Sequence, residues 1–182
     1  MPGGSMLLGG FLWLRQQEDG MTEREKQAVR NFADGHNCAQ SVLMAYADVL
    51  GLTREQAAMV SVGFGGGMGR LRLHCGAFSA AVMLAGTLEG ADGALKEHRP
   101  QTYARVQEIY RQFMEKNGTV SCAELLAKAG VRPAGQQAEA PTPEARTREY
   151  YAKRPCARII RSACQIIDGM LAEKETDDAR ED

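Results

Sequence analysis

The residues with chemistry to offer are the cysteines. This chain of 182 residues has five. Four of them, Cys38, Cys75, Cys122 and Cys156, each stand where a helix is expected to begin, and each opens an apolar face that continues at helical spacing. Asn37, a favoured N-cap, precedes Cys38, whose face runs on through Val42, Ala45, Tyr46 and Val49. Ser121, Cys122, Ala123 and Glu124 have the form of a capping box, followed by Leu125, Leu126 and Ala129. Pro155 suits a first helical position and puts Cys156 in the first turn, ahead of Ile159, Ile160, Ala163 and Ile167. Cys75 follows a glycine-rich stretch without a marked cap, and Phe78, Val82 and Ala85 fall on its side of the next helix.

A thiol at a helix N-terminus faces unpaired N–H groups and the positive end of the macrodipole, both of which favour thiolate. The dipole contributes about 0.3–1 kcal/mol at an exposed end, and a pKa unit corresponds to about 1.4 kcal/mol. The dipole alone is therefore too weak to make a reactive thiolate. The remainder must come from direct N–H···S bonds, from a cation such as Arg70, Arg72, His74, Lys153 or Arg154, or from a bound metal. His36, two residues before Cys38, and His74, next to Cys75, are candidate proton acceptors or metal ligands, set against a bland role as solvated loop residues. Cys164 lies amid Ile160, Ala163 and Ile167 and is assigned to the core as a small hydrophobe.

The run from Gly63 to Arg70 contains five glycines in eight residues. Its spacing fits neither the dinucleotide fingerprint nor the P-loop. Two readings stand level. Gly65, Gly66 and Gly67 can form a backbone nest that offers N–H groups to a sulfur, a cluster or an anion, with Arg70 assisting; or the run is a tight turn between packed helices.

The elements that must position these residues are helices. Apolar periodicity predicts them over 22–33, 38–50, 54–62, 75–88, 101–116, 122–128, 144–152 and 156–172. Only Val60 to Phe64 has the composition of an extended run, and it has no partner strand. The fold class is all-α, a single compact multi-helix domain over 21–172 with a glycine-rich loop. Residues 1–20 read as a poorly ordered extension, 131–143 as an exposed connection and 173–182 as a charged, frayed tail. Tyr103, Val106, Tyr110 and Phe113 have the spacing of a core face.

With 44% hydrophobic residues the chain can bury a sizeable core. Its formal net charge of −1 gives no reason to expect a nucleic acid partner or an anionic membrane surface. The apolar run Met6 to Leu14 is too short to span a bilayer and lacks the basic flank and cleavage site of a secretory signal. Five cysteines without such a signal suggest a reducing, cytoplasmic setting.

The run Asn37-Cys38-Ala39-Gln40-Ser41-Val42, the loop Gly63 to Arg70, the segment Cys75-Gly76-Ala77 and the isolated Cys122 and Cys156 together resemble the C_GCAxxG_C_C family. The likeness covers most of residues 21–171. At Cys75 the ungapped match puts His74, Gly76 and Ser79 where the family's name calls for Gly, Ala and Gly. The resemblance implies a small bacterial helical protein whose four cysteines are its functional residues in a redox role.

Three functions are open on the residues alone. Two of the four cysteines can cycle between thiol and disulfide with an unspecified redox partner, and since no C-x-x-C pair exists the exchanging sulfurs are distant in sequence. Alternatively, four thiolates converging from four helix starts can hold a metal such as zinc or an iron–sulfur cluster, whose sulfurs suit helix N–H groups. In the third, the chain is a helical interaction module with buried packing cysteines. Every reading that gives the cysteines a shared site requires the helix starts to meet near the glycine loop.

Overall fold

The computed structural model describes residues 20–88, 95–131 and 140–181. The expected extension at 1–19 and most of the 131–143 connection lie outside them. Eight α-helices make up the described fold, in keeping with the all-α class. Helix α1 (Glu23–Ala33) begins with a closed capping box, in which the Thr22 side chain accepts the Glu25 N–H and the Glu25 carboxylate accepts the Thr22 N–H. Helix α2 (Cys38–Ala45) is capped by Asn37, and α3 (Arg54–Ser61) by Thr53. The Val60–Phe64 run completes α3 and a 3-10 turn over Val62–Phe64. Then follow α4 (Gly76–Ala85), α5 (Arg99–Asn117), α6 (Cys122–Lys128), α7 (Arg148–Lys153) and α8 (Cys156–Glu181).

Helices α2 and α8 organise the core. The first packs on α1, α3, α4 and α8, and the second on α1, α2, α4 and α5. Leu43, Leu84, Ile109, Phe113, Ile160, Ile167 and Met170 are fully buried between them, each worth about 1.5–3 kcal/mol relative to exposure. Cys164 is buried among them, as expected. Among the described residues no helix is long and apolar enough to cross a membrane.

Several sequence expectations are corrected. Helix α2 stops at Ala45, short of Leu50, because Tyr46 leaves helical geometry and its hydroxyl reaches across to the Cys164 carbonyl (3.0 Å) and the Asp168 carboxylate (2.7 Å). Helix α7 starts at Arg148, capped by Thr147, so Glu144 and Arg146 lie outside it. The capping box at Ser121 is only half made: its side chain accepts the Glu124 N–H, but the Glu124 carboxylate takes the Thr119 hydroxyl at 2.6 Å instead. Pro155 sits one residue before α8, and Cys75 caps α4 rather than entering it. The charged stretch from Glu173 continues α8 to Glu181, and Lys174 donates to the Leu88 carbonyl at 2.8 Å. Of the aromatic series, Phe113 is core, but Tyr103 and Tyr110 are exposed.

Candidate functional site

Two of the four cysteine positions are joined by backbone. His74 and Ser121 form an isolated antiparallel bridge. Around it, the Cys75 N–H donates to the Val120 carbonyl (2.8 Å), the Cys122 N–H to the Leu73 carbonyl (2.6 Å) and the Ala123 N–H to the Arg72 carbonyl (3.1 Å). The chain entering α4 is thereby fastened beside the chain entering α6. A single bridge has no alternation to announce it, so sequence reasoning missed it.

The glycine loop brings in the other helix starts. Most of its hydrogen bonds close on itself: the Met68, Gly69 and Arg70 N–H groups donate to the Phe64, Gly63 and Gly65 carbonyls. Its glycines act mainly by letting backbone come close. A Cβ on Gly65 would lie 2.4 Å from Asn37 Cγ, inside the cap of α2. Gly67, at φ +74°, would place a Cβ 2.6 Å from Cys122 Cβ. The turn between packed elements thus describes this loop better than an open nest. Strain is concentrated here, because Met68, Arg70 and Arg72 all adopt positive φ, a region side chains rarely occupy.

Asn37 ties loop and helix together. Its Oδ1 accepts the Ala39 and Gln40 N–H groups, and its Nδ2 donates to the Val62 carbonyl at 2.9 Å. Replacing Asn37 by Ala is expected to cost about 1–2 kcal/mol, read as a lowered urea midpoint. Asn37→Asp restores the cap oxygen but not the donor, and recovers only part of that loss.

All four cysteines line one cavity of about 340 Å³, together with Gly65, Gly66 and Arg70. Gly67 supports its wall through Cys122. The cysteines are free thiols; Cys75 is buried, and Cys38, Cys122 and Cys156 are partly exposed. Cys38 is the hub: Cys156 is its strongest neighbour, and its charge would be felt at both Cys75 and Cys122.

Burial overrides the helix ends. The neighbouring Cys156, then burial, push the Cys38 thiol well above its ordinary value, with Arg146 pulling weakly the other way. Burial, then the proximity of Cys38, raise Cys75 against the amides of Phe78 and Ala77. Cys122 is raised by burial and by Cys38, opposed by the nearby charge of Arg72. These three are therefore neutral thiols near pH 7, in keeping with the expectation that the dipole alone is too weak to make a thiolate; its contribution of about 0.3–1 kcal/mol is small beside the desolvation of a charged sulfur.

Among the described residues, four arginines and one carboxylate line the same cavity: Arg70, Arg72, Arg146, Arg154 and Glu144. Both Glu144 oxygens accept from Arg154 Nη2 at 2.7 Å, while Arg70 and Arg72 stand farther off, at 3.9 and 3.7 Å. Burial works to raise the Glu144 carboxyl, but the Arg154 bond and the three cationic neighbours outweigh it and hold it below the usual range. The Arg146 guanidinium lies over Tyr150 (4.7 Å) and Phe32 (5.1 Å). Arg146, Glu144 and Tyr150 were missed in the sequence, where they read as parts of one amphipathic helix. Of the other sequence candidates, Lys153 pairs with Glu149 outside the cavity, and neither His36 nor His74 is among the lining residues.

The profile of a family described as "Putative redox-active protein (C_GCAxxG_C_C)" matches residues 36–170. The chain belongs to the C_GCAxxG_C_C family. It is also similar to an uncharacterized protein of Archaeoglobus fulgidus, 26% identical over 168 residues that cover 86% of this chain and all of that protein. No solved structure gives a significant match. The departures from the C_GCAxxG_C_C name have physical reasons in this chain. Gly76 replaces the Ala because a Cβ there would lie 2.9 Å from the Phe64 carbonyl oxygen. Ser79, in place of Gly, turns its hydroxyl back to the Cys75 carbonyl at 3.2 Å, and His74 forms the bridge to Ser121.

Proposed function

We propose that this C_GCAxxG_C_C protein is a thiol–disulfide redox protein whose exchanging pair is Cys38 and Cys156. The observation that carries the reading is the meeting of these two thiols, at the starts of α2 and α8, in a cavity that also receives Cys75 and Cys122, where Cys156 is the neighbour that most opposes ionisation of Cys38. A packing role alone leaves three partly exposed thiols on one cavity without explanation.

The exchange runs against a disulfide of a redox partner. Deprotonated Cys156 attacks one partner sulfur, the partner S–S bond breaks, and its second sulfur leaves as a thiolate that takes up a proton. Cys38 then gives up its proton and attacks the Cys156 sulfur. The intramolecular disulfide forms, and the first partner sulfur leaves and is protonated in turn. Two electrons pass from the cysteine pair to the partner disulfide, and two protons follow. Cys156 is the main opponent of Cys38 ionisation, and that opposition ends once the Cys156 sulfur is bound in the mixed disulfide.

Peptide mapping of protein equilibrated with glutathione disulfide is expected to find a reproducible Cys38–Cys156 crosslink. Cys38→Ser and Cys156→Ser each abolish it, and Cys164→Ala leaves it intact. Random mixtures of crosslinks would sink the assignment.

The fourfold convergence also favours a second reading, a zinc or iron–sulfur centre on Cys38, Cys75, Cys122 and Cys156. As the side chains stand, no group of three or more His, Cys, Asp or Glu among the described residues is placed to hold a metal ion, so this reading needs the thiols to re-aim on binding. Metal and sulfide analysis of anaerobically purified protein separates the two.

A further inference from the structure

We infer that the four-cysteine cavity is a binding site for a small molecule carrying a negatively charged oxyanion group, held by Arg72 and Arg146 beside the thiols. Charge balance is the first observation. Among the described residues, Arg72, Arg146 and Arg154 face one carboxylate in the cavity, and that carboxylate is bonded to Arg154. Three of the thiols are neutral near pH 7 and supply no counter-charge.

The second observation is independent of the first. Arg72 is only 8% exposed, yet its Nε and Nη2 are buried without a hydrogen-bond partner, and the nearest carboxylate oxygen, Glu144 Oε1, is 3.7 Å from Nη2, beyond bonding reach. Nη1 of Arg146 is unpartnered in the same way. Buried polar groups are nearly always bonded, and an orphaned one asks for a partner that the protein does not supply. Nor are these guanidiniums free to swing out. Arg72 is set by a left-handed backbone at φ +61°, and Arg146 by the rings of Tyr150 and Phe32 and by a bond from Nη2 to the His36 carbonyl.

Guanidinium is the side chain best matched to carboxylate, sulfonate or phosphate oxygens, which it can bind in pairs. The volume, about 340 Å³, fits a small ligand and excludes a folded partner. Because Arg72 and Cys122 line the same cavity and the Arg72 charge acts on the Cys122 thiol, an anion seated on Arg72 lies next to the sulfurs. The inference deepens the thiol–redox reading and rests on it for the ligand's role as substrate, but binding can be measured whether or not the thiols cycle.

The probes are iodoacetate and iodoacetamide, equal in reach and different in charge. Their rates on the reduced full-length protein are compared with their rates on N-acetylcysteine. We expect the iodoacetate-to-iodoacetamide ratio at the cavity thiols to exceed that of N-acetylcysteine about tenfold, and to fall toward it in high salt. Arg146→Gln and Arg72→Gln should each remove most of the excess. The wild-type ratio needs no variant, so a failure of Arg72→Gln to fold leaves the test intact. Protection from iodoacetate by inorganic phosphate would identify a tetrahedral oxyanion, and protection by acetate a planar carboxylate. A wild-type ratio equal to that of N-acetylcysteine, or protection by neither anion, overturns the inference. A raised ratio in protein that forms no reproducible disulfide keeps the anion site and removes the redox role; a clean Cys38–Cys156 disulfide with a flat ratio does the reverse.

Discussion

Raised from pH 8 toward pH 11 under reducing conditions, the protein loses stability steeply. Burial holds the Cys75 proton and pushes the Cys164 thiol up to about 12. An unfolded cysteine titrates near 8.5 (about). Above that value the unfolded chain has released protons that the fold retains, so stability falls as pH rises. The contribution is complete below about pH 8.5 and is lost progressively up to the folded values, near 12 for Cys164. Each such thiol removes about 1.4 kcal/mol per pH unit inside that window, or about 3 kcal/mol per unit for the two together, against a total stability of about 5–15 kcal/mol for an ordinary domain. Tyr46, also raised by burial, adds to the fall above about pH 10. Urea midpoints at intervals across this range measure the slope, and Cys164→Ala should flatten it by that thiol's own share, about 1.4 kcal/mol per pH unit. Midpoints that stay level to pH 10.5 (about, two units above the unfolded thiol value) would show that the fold does not hold these protons.

Replacing Gly67 by Ala is expected to be the most damaging small change in the loop. At φ +74° a side chain costs about 1 kcal/mol by itself. The new methyl would also meet Cys122 Cβ at 2.6 Å and the Leu73 N at 2.9 Å, and the latter is backbone held in the bridged segment. Overpacking of this kind adds about 1–3 kcal/mol, for a total of about 3 kcal/mol. Gly69→Ala is the control. It has the same left-handed conformation, φ +60°, and nothing within 4 Å of the added carbon, so only the backbone cost of about 1 kcal/mol applies. Denaturation midpoints measure the difference, and the alkylation rate of Cys122 should change in the Gly67 variant alone. Equal losses in both variants would mean that the contact with Cys122 does not matter.

The helix starts were legible because capping is local. Asn37, Thr53 and Ser121 act on amides two or three residues away, and the sequence shows both ends of each interaction. Where α2 ends was not legible, since Tyr46 is drawn off by Asp168 far along the chain. The four cysteines could be named from their placement, but their meeting depends on the His74–Ser121 bridge and on glycine contacts, which no short window contains. Arg146 was hidden for the same reason: it reaches the site by packing on Phe32 and bonding the His36 carbonyl. The weakness of the dipole was legible in the sequence, but the size of the opposing effect was not, because a helix end can be seen in sequence whereas the degree of burial of its first side chain cannot.

The bridge at His74 sets Cys75 apart from the other three cysteines. Cys75 is 5% exposed with its amide fixed to Val120, whereas Cys38, Cys122 and Cys156 are partly exposed residues. Alkylation at Cys75 is therefore expected to follow how often that junction opens, at a free energy set by the local structure rather than by the reagent. Two regimes of reaction are expected from one kind of side chain in a single small domain.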